Sequence, residues 1–337
     1  MSPVLFKEKG WGCLNQLLQE QKAIILCDAN TRQCLEYLYM ACPIAEQFPV
    51  VEMPAGERNK TLKTCEMVWY QLIEHGADRN TILINLGGGV VTDLGGFVAS
   101  TFMRGIRFVH IPTSLLGMVD AAIGGKTGVD FGGLKNMVGV FAQAEAVVVD
   151  SNFLKTLPSQ HYRNGLAEVL KHAFISDPEL LAMMEENEDE LISRSVQVKL
   201  DVVARDEFEA GERKKLNFGH TIGHALESHL LDTEREVLHG EAVAAGMIME
   251  SWISTRIAGL EQDELSSIVE VVDSIFSRIE LTQEDWKAIK KLMLFDKKNS
   301  NGSVRFVLLK SIGSATIDRA VSEHDLDESF HFYCNLK

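Results

Sequence analysis

The first half of the chain alternates short apolar runs with helix-like patterns, and this alternation most constrains the fold. Five runs have the length and composition of buried strands: KAIILCD at 22–28, FPVVEMP at 48–54, TILINLGGG at 81–89, IRFVHIP at 106–112 and EAVVVD at 145–150. Buried strands separated by helical patterns indicate βα units and a largely parallel sheet. We therefore predict an α/β domain over residues 1–157.

The second half has a different texture. Long amphipathic patterns cover 163–175, 178–207, 218–231, 240–258, 263–278 and 284–294, and residues 303–317 have the pattern of a hairpin. These patterns predict a mostly α-helical second domain over residues 158–337. Because ligand sites often lie in clefts between domains, we expect the active site there.

Composition and charge exclude several classes of protein. A formal net charge of -15 opposes binding to nucleic acid, because phosphate contacts need clustered cations. The sequence contains no apolar run of membrane-spanning length and no signal-peptide pattern at its start, so we expect no membrane partner. The six cysteines form no CxxC pair or disulfide framework and indicate free thiols in a reducing compartment. We expect a cytoplasmic protein.

Three histidines occur close together in NFGHTIGHALES, residues 217–228, and LHGEAVAAG, which starts at Leu238. His220 and His224 are four residues apart, so both imidazoles project from one helix face, and His239 begins the next element. The pattern indicates a metal site, although such histidines are also found in purely structural roles.

Glu168 strengthens the metal interpretation. It lies in GLAEVLKH, an apolar helical pattern in which an unpaired carboxylate would be costly to bury. One carboxylate with two or three imidazoles suits Zn²⁺, whose catalytic sites keep three protein ligands and one open position. His172, four residues after Glu168, is a competing ligand.

The segment GGGVVTDLGGF, residues 87–97, follows a predicted strand and opens a helix. Glycines there let the backbone approach a pyrophosphate, whose charge the helix N-terminus favours. Thr92 replaces the third glycine of a GxGxxG motif, so a plain tight turn is the alternative. Four polar residues follow predicted strands, namely Asp28, Asn30, Glu57 and Lys60. Each is a candidate for contact with a ribose hydroxyl, and the alternative is that each is an ordinary polar residue of a surface loop.

The glycine-dense run at 120–139 fits neither a helix nor a strand of useful length and therefore predicts a functional loop. Its polar residues are Asp120, Lys126, Lys135 and Asn136. Further cations occur at Lys171, Lys199, Arg213, Lys297 and Lys298. If they converge in so acidic a chain, they attract a multiply anionic substrate. Individually, each is more simply a surface charge.

Taken in order, these motifs resemble the 3-dehydroquinate synthase family of sugar-phosphate cyclases. The matching segments span nearly the whole chain: PAGERNK, GGGVVTDLGGF, FMRGIRFVHIPTSLL, IGGKTGVD, LKNMVG, LKTLP, GLAEVLKH, NFGHTIGHA, LHGEAVAAGM and DKK followed by RFVLL. The resemblance implies a Rossmann-like NAD-binding domain, a helical domain for metal and substrate, and a homodimer. It also implies conversion of 3-deoxy-D-arabino-heptulosonate 7-phosphate to 3-dehydroquinate and phosphate in the shikimate pathway of aromatic amino acid biosynthesis.

The resemblance assigns roles to residues at matching positions. NAD⁺ would contact Asp28, Asn30, Glu57, Lys60, Gly88, Gly89, Val90, Asp93, Thr113, Ser114, Lys126, Lys135, Phe153, Leu154, Lys155 and Thr156. Zn²⁺ or Co²⁺ would be held by Glu168, His220 and His239. Catalytic or substrate-binding roles fall to Asp120, Lys126, Lys135, Asn136, Lys171, Lys199, Arg213, Asn217, His224 and Lys298. Arg104 would reach the substrate phosphate of the neighbouring subunit.

The chain departs from the family pattern at several positions. Thr92 stands where a glycine is usual, Ser114 where a second threonine is usual, GGLKN replaces PxGKN, and Gln143-Ala144 replaces QP. The separation of His220 and His239 indicates a short insertion. These departures affect the expected geometry of the cofactor-binding loop more than the expected type of reaction. The rival functions are another sugar-phosphate cyclase, such as a deoxy-scyllo-inosose or valiolone-type synthase, a metal-dependent polyol dehydrogenase, and a non-catalytic binding protein.

Overall fold

The computed structural model describes residues 1–184, 187–231, 233–296 and 304–336. Contacts between Cα atoms divide the chain into two compact units, Met1–Tyr162 and Arg163–Lys337. Every helix in the described ranges is too short or too polar to cross a lipid bilayer.

The first unit is built around a parallel sheet. The strands of this unit are β1 (Val4–Phe6), β2 (Ala23–Asp28), β3 (Val50–Met53), β4 (Ile82–Gly87), β5 (Arg107–Pro112), β6 (Lys126–Phe131), β7 (Leu134–Phe141) and β8 (Ala146–Val149). The helices are α1 (Lys7–Leu18), α2 (Leu35–Ala41), α3 (Leu62–Glu74), α4 (Gly89–Thr101) and the first turn of α5 (Ser159–Ile175). Six strands form the sheet, in the order β1-β8-β5-β4-β2-β3, and every neighbouring pair is parallel. The α/β prediction is confirmed.

Helix α4 packs very closely through two glycines, against strand β4 of the sheet and against β6. A Cβ atom on Gly95 would lie 2.0 Å from Oδ1 of Asn85, and one on Gly96 would lie 2.5 Å from Cγ2 of Thr127. Thr92 is buried on the same helix and turns its hydroxyl back to the carbonyl oxygen of Gly89, at 3.1 Å. Because the Thr92 hydroxyl is hydrogen-bonded within α4, the helix accommodates threonine where the motif usually has glycine.

Residues 126–141 are an antiparallel hairpin, so the prediction of one long loop at 120–139 is wrong over this part. Phe131 pairs with Leu134 across a two-residue turn. Gly132 and Gly133 form that turn with φ of 62° and 77°, the left-handed values that tight hairpin turns require. The glycine pair between strand-like residues is the signal that identifies this hairpin.

The second unit is mostly helical, as predicted. It contains the rest of α5, α6 (Leu180–Met183), α7 (Glu188–Arg205), α8 (His220–Leu230), α9 (His239–Ile257), α10 (Gln262–Ile275), α11 (Gln283–Asp296), β9 (Arg305–Ser311), β10 (Ser314–Ala320) and α12 (Glu323–Asn335). The pattern at 178–207 comprises two helices. The second begins at Glu188 and is capped by Asn187, whose Oδ1 accepts hydrogen bonds from the backbone N–H groups of Asp189 and Glu190. Strands β9 and β10 form the predicted hairpin.

Helices α8 and α9 approach to backbone contact. A Cβ atom on Gly223 would lie 3.0 Å from Cα of Val243, and one on Gly246 would lie 2.0 Å from the carbonyl oxygen of Gly219. At the start of α9, a Cβ atom on Gly240 would lie 2.2 Å from the carbonyl oxygen of Asn164 in α5. Glycine therefore brings the first turns of α8 and α9 and the middle of α5 into one small region.

Candidate metal and nucleotide sites

Three imidazoles converge where these helices meet. His220 is the first residue of α8 and His239 the first residue of α9. The ring centroids of His220 and His224 are 5.0 Å apart, those of His220 and His239 are 5.3 Å apart, and those of His224 and His239 are 5.6 Å apart. A nitrogen from each ring lies within 4.8 Å of one from each of the others. This spacing suits coordination of a single ion.

Glu168 faces two of these rings from α5. Its Oε1 lies 3.4 Å from Nε2 of His220 and 3.1 Å from Nε2 of His239, and Lys171 forms an ion pair with its other oxygen. Burial opposes ionisation of Glu168, but Lys171 and the imidazoles hold the pKa of this carboxyl well below its ordinary value. An anionic oxygen is therefore directed at the imidazole cluster.

The remaining ring nitrogens orient both histidines. Nδ1 of His220 lies 3.0 Å from the carbonyl oxygen of Phe218, and Nδ1 of His239 lies 3.1 Å from Oε2 of Glu227. When each Nδ1–H donates to its oxygen, Nε2 presents a lone pair toward Glu168, the arrangement found around protein-bound zinc. Two nitrogens and one carboxylate oxygen form a donor set that fits Zn²⁺ or Co²⁺.

The pKa of His239 shows that the two neighbouring carboxylates favour a positive charge at this position. Burial lowers the pKa of this imidazole, but the carboxylates of Glu227 and Glu168 outweigh burial and raise it to about 10. A proton therefore supplies positive charge between the two carboxylates. His172 is turned elsewhere, with Nδ1 2.8 Å from the hydroxyl of Ser195, and does not belong to the imidazole cluster.

Other predicted substrate-binding residues of the second unit lie in its interior. The side chains of Lys171, Lys199 and Arg213 are all buried, at 1%, 6% and 1% exposure. The Arg213 guanidinium donates to the carbonyl oxygen of Glu207, and Asn217 Nδ2 donates to Oε1 of Glu209 at 2.8 Å. Lys297 and Lys298 lie outside the described residues.

Glu209 is a functional candidate that the sequence analysis missed. Its φ of 60° places a non-glycine residue in the left-handed region, which is uncommon and often marks functional sites. It is held by Asn217, one of the predicted substrate-binding residues. Within a short polar segment, its sequence neighbours give no signal that distinguishes it.

In the first unit, three carboxylates surround the ammonium group of Lys60. Its Nζ lies 3.0 Å from Oε1 of Glu57, 3.2 Å from Oδ2 of Asp93 and 4.0 Å from Oδ1 of Asp130. Lys135 reaches Glu57 as well, at 2.9 Å. Burial alone would lower the pKa of Lys60, but the carboxylates outweigh it and raise the pKa above its ordinary value. Four predicted residues are thus brought together.

Asp130, which the sequence analysis missed, connects this cluster to the hairpin. Its Oδ1 accepts a hydrogen bond of 2.8 Å from the backbone N–H of Asn136, and its own N–H donates to the carbonyl oxygen of Lys60. Asn136 has a φ of 52°, so the carboxylate holds it in a left-handed conformation. Lys126 is exposed at the start of β6, and Asp120 lies in the π-helical turn Gly117–Ala121.

Residues around the glycine-rich turn form a second group. Gly88 precedes the first residue of α4, and Gly89 and Val90 open the helix without a side-chain cap from Gly88. Thr113 donates its N–H to the carbonyl oxygen of Gly87, and a Cβ atom on Gly88 would lie 3.2 Å from Oγ of Ser114. A helix N-terminus close to a serine hydroxyl suits a phosphate group.

The remaining predicted nucleotide contacts lie near the ends of other strands. Oδ1 of Asp28 accepts hydrogen bonds from the N–H groups of Asn30 and Thr31, so this carboxylate also closes its own turn. The segment Ser151–Thr156 is a 3₁₀ turn that includes buried Phe153 and Leu154, while Lys155 donates to Oδ1 of Asn152 and Thr156 to the carbonyl oxygen of Phe153. The Phe153 ring packs edge-on against Trp11 and Tyr37, which gives it a structural role.

Arg104 occupies an exposed, strained turn. Met103, Arg104 and Gly105 all have positive φ, at 51°, 71° and 112°. Two consecutive non-glycine residues in the left-handed region cost roughly 1–2 kcal/mol each. Such strain is found preferentially at functional sites.

Solved structures share this fold. A 2-epi-5-epi-valiolone synthase from Streptomyces hygroscopicus, solved with NAD⁺ and Zn²⁺, is 26% identical, has a TM-score of 0.85 and matches 99% of this chain and 96% of its own. A 2-deoxy-scyllo-inosose synthase complexed with carbaglucose-6-phosphate, NAD⁺ and Co²⁺ is 22% identical, with a TM-score of 0.83 over 98% of this chain and 96% of its own, and shares the fold. The fold and the imidazole cluster place this chain in the same structural class as these two synthases, which were solved with NAD⁺ and a divalent metal ion.

Sequence comparison specifies the family. The family model described as 3-dehydroquinate synthase N-terminal matches residues 50–164, and the model described as 3-dehydroquinate synthase C-terminal matches residues 165–299. The 3-dehydroquinate synthase of Parabacteroides distasonis is 41% identical over 325 residues, covering 94% of this chain and 92% of the relative. This chain belongs to the 3-dehydroquinate synthase family, which confirms the resemblance noted in its motifs.

Proposed function

We propose that this protein converts 3-deoxy-D-arabino-heptulosonate 7-phosphate to 3-dehydroquinate and phosphate in the shikimate pathway. Its family membership supports this reaction. The observation that carries the chemistry is the convergence of Glu168, His220 and His239, with Glu168 Oε1 within 3.4 Å of Nε2 of both histidines.

The reaction needs a reversible oxidation because the proton to be removed is bonded to an unactivated carbon. A ketone at C5 makes the C6 hydrogen acidic, and phosphate can then leave. When bound, NAD⁺ would supply a reversible hydride acceptor, so that no net oxidation remains after phosphate elimination and re-reduction, and ring opening with intramolecular aldol closure then gives the carbocycle. A divalent ion supplies Lewis acidity toward the substrate hydroxyl and carbonyl. We assign it to Glu168, His220 and His239.

His224 is assigned to proton transfer. It lies one turn beyond His220, with its ring 5.0 Å from that of His220, and an imidazole can exchange a proton near neutral pH. This position places a titratable group beside the metal ligands while leaving the ligand set unchanged.

The predicted cations are assigned to the substrate. Lys199, Arg213 and Lys135 bind the carboxylate and ring hydroxyls, and the planar guanidinium suits a carboxylate because it donates two parallel hydrogen bonds. Lys126, Asn136, Asn217 and Lys298 bind the phosphate, and Asp120 and Lys171 complete the predicted set. Lys171, Lys199 and Arg213 are buried, and the attraction between a buried cation and an anionic substrate group is screened less by water than at the surface.

The nucleotide is assigned to residues 1–157, and the metal and substrate hydroxyls to 158–337. Gly88, Gly89 and Val90 face the pyrophosphate, and the polar groups of Asp28, Asn30, Glu57, Lys60, Asp93, Thr113 and Ser114 take the ribose and nicotinamide. The segment from Phe153 to Thr156 and the side chains of Lys126 and Lys135 complete these contacts. The uncapped start of α4 beside Ser114 supports the pyrophosphate position.

We assign the protein to the cytoplasm as a homodimer in which Arg104 binds the substrate phosphate of the partner subunit. The exposed, strained turn at Met103–Gly105 supports a function for Arg104. The free cysteines support a reducing compartment, and burial raises the pKa of both Cys27 and Cys65 to about 12, which keeps these thiols protonated.

Removal of metal tests the proposal. Exhaustive chelation should abolish release of phosphate from the heptulosonate phosphate, and Zn²⁺ or Co²⁺ should restore it. Full activity in metal-stripped protein would contradict the assignment of Glu168, His220 and His239 as ligands.

A further inference from the structure

Two buried glutamates connect α8 and α9 in a reciprocal manner. Glu227 of α8 reaches Nδ1 of His239, the first residue of α9, at 3.1 Å. Glu250 of α9 accepts hydrogen bonds of 2.7 Å from the N–H of Gly219 and 3.2 Å from the N–H of Ile222, at the start of α8. Each helix therefore supplies the carboxylate that meets the first turn of the other.

Neither helix start has a capping side chain on the residue that precedes it, although at α9 Oε2 of Glu241 accepts a hydrogen bond of 2.8 Å from the N–H of Leu238. Gly219 precedes α8 and Leu238 precedes α9, and neither residue's side chain accepts a cap hydrogen bond. Glu250 satisfies N–H groups at the start of α8 that would otherwise lack partners, and its negative charge favours the positive end of the helix dipole. The first turn of α8, which carries His220, is thereby fixed.

The contact between Glu227 and His239 determines which nitrogen of the imidazole carries a proton. An ionised carboxylate only accepts hydrogen bonds, so Nδ1 of His239 must carry the proton. The ring is neutral only when a cation replaces the proton on Nε2, and Nε2, 3.1 Å from Oε1 of Glu168, is then the nitrogen left to bind that cation. Glu227 thus selects the tautomer and the ring orientation that a metal ligand needs.

We propose that Glu227 is a positioning residue that raises metal affinity through His239 without touching the ion. The inference rests on the proposed metal site. Glu227 is only 5% exposed, so the surrounding protein restricts the orientation of its side chain. Its hydrogen bond to His239 joins the second turn of α8 to the start of α9. Partners of this kind typically change metal affinity by about 10–100-fold.

The test measures Zn²⁺ affinity of the full chain by competition with a chelating dye, for wild type, Glu227→Gln and Glu227→Ala. We expect a loss of about 10–100-fold in Glu227→Ala and a smaller loss in Glu227→Gln, whose carbonyl still accepts from Nδ1–H. Glu227→Gln is nearly isosteric and provides the measurement if the alanine variant does not fold. The Co²⁺ absorption spectrum should shift in the variants because the imidazole is less well oriented.

A double-mutant cycle separates positioning from general destabilisation. His239→Ala should lower Zn²⁺ affinity to a weak residual value, and if Glu227 acts through His239, Glu227→Gln should add no further loss to that residual affinity. The matched control is Asp285→Asn, which alters a carboxylate–imidazole contact of α8 away from the proposed metal ligands, the 2.8 Å contact with Nε2 of His229. This control should lower thermal stability and leave Zn²⁺ affinity at the wild-type value.

The outcomes distinguish the inference from the proposed function. If both Glu227 variants bind Zn²⁺ within about twofold of wild type while His239→Ala loses it, Glu227 is not a positioning residue and the metal site stands. If His239→Ala also keeps wild-type affinity, the proposed metal site itself is wrong. Equal losses in Asp285→Asn and Glu227→Gln would show that only stability had changed and would overturn the inference.

Discussion

Oε1 of Glu168 lies 3.1 Å from Nε2 of His239, although 71 residues separate them in the sequence. This relationship places a carboxylate of α5 against the first residue of α9, and His220 faces the same oxygen from α8. Three helices must therefore be correctly packed before the proposed ligand set exists. Metal binding is consequently a direct measure of whether this part of the fold is intact.

The three histidines are expected to respond differently to substitution. His220→Ala and His239→Ala should lose bound metal and activity, because each removes one of three protein ligands. His224→Ala should retain metal but turn over roughly 10²–10⁴-fold more slowly, as expected for loss of a general acid or base. Metal analysis of purified variants, combined with rate measurements, separates these roles. Metal lost from His224→Ala and kept by His239→Ala would reverse the assignment.

Gly246→Ala should disrupt the close contact of α8 and α9. The added methyl group would lie 2.0 Å from the carbonyl oxygen of Gly219, so the helices must separate, at a cost of at least about 1–3 kcal/mol. Both the free energy of unfolding and Zn²⁺ affinity should fall. The control is Gly12→Ala in α1, where no atom lies within 4 Å of the new methyl group and alanine should stabilise by roughly 0.5–1 kcal/mol. Equal effects of the two substitutions would contradict the packing argument.

His110 should make the stability of the protein depend on pH. Burial lowers its pKa from 6.5 to about 3, and Nδ1 faces Nδ2 of Asn85 at 3.2 Å, a contact suited to a neutral imidazole. Between these two pH values the unfolded chain binds a proton that the folded chain does not, so this contribution to stability is lost as the pH falls. The slope is up to about 1.4 kcal/mol per pH unit. In urea unfolding at pH 7 and pH 5, His110→Asn should show a smaller decrease than wild type. Identical decreases would show that His110 titrates normally.

Arg104 and Lys126 provide a test of the proposed homodimer. Arg104→Ala and Lys126→Ala should each be nearly inactive alone, because every site then lacks one phosphate-binding cation. After subunit exchange in an equal mixture, about a quarter of wild-type sites should be active, since half the dimers are mixed and each has one intact site. Demonstrated exchange without recovery would place Arg104 in the site of its own chain or in none.

The sequence predicted those secondary-structure elements that the residues of one short segment specify by themselves. The five short apolar runs became strands of the parallel sheet because runs rich in β-branched residues, separated by helical patterns, favour buried parallel strands over other structures. The β6–β7 hairpin was missed because glycines at 128 and 139 weaken the strand pattern, although they allow the two backbones to approach. The break between α6 and α7 depends on Asn187, whose cap function cannot be distinguished from a helical surface residue by periodicity alone.

The histidine pattern and Glu168 predicted the candidate metal cluster, but its supporting carboxylates were not predicted. Glu227 and Glu250 lie within amphipathic helices, where an acidic residue usually faces water, yet both are buried. Their partners are the starts of other helices, 12 and 28–31 residues away. Such contacts depend on how α8 and α9 pack, which the sequence pattern of either helix does not specify.

The most direct test of the proposed reaction is its stoichiometry. Purified protein supplied with NAD⁺, Zn²⁺ and 3-deoxy-D-arabino-heptulosonate 7-phosphate should release one phosphate for each 3-dehydroquinate formed, while absorbance at the NADH band does not grow with turnover. This result is expected because the hydride removed in the first step returns to the same substrate. NADH that accumulates in proportion to turnover, without release of phosphate, would contradict the account and indicate a polyol dehydrogenase.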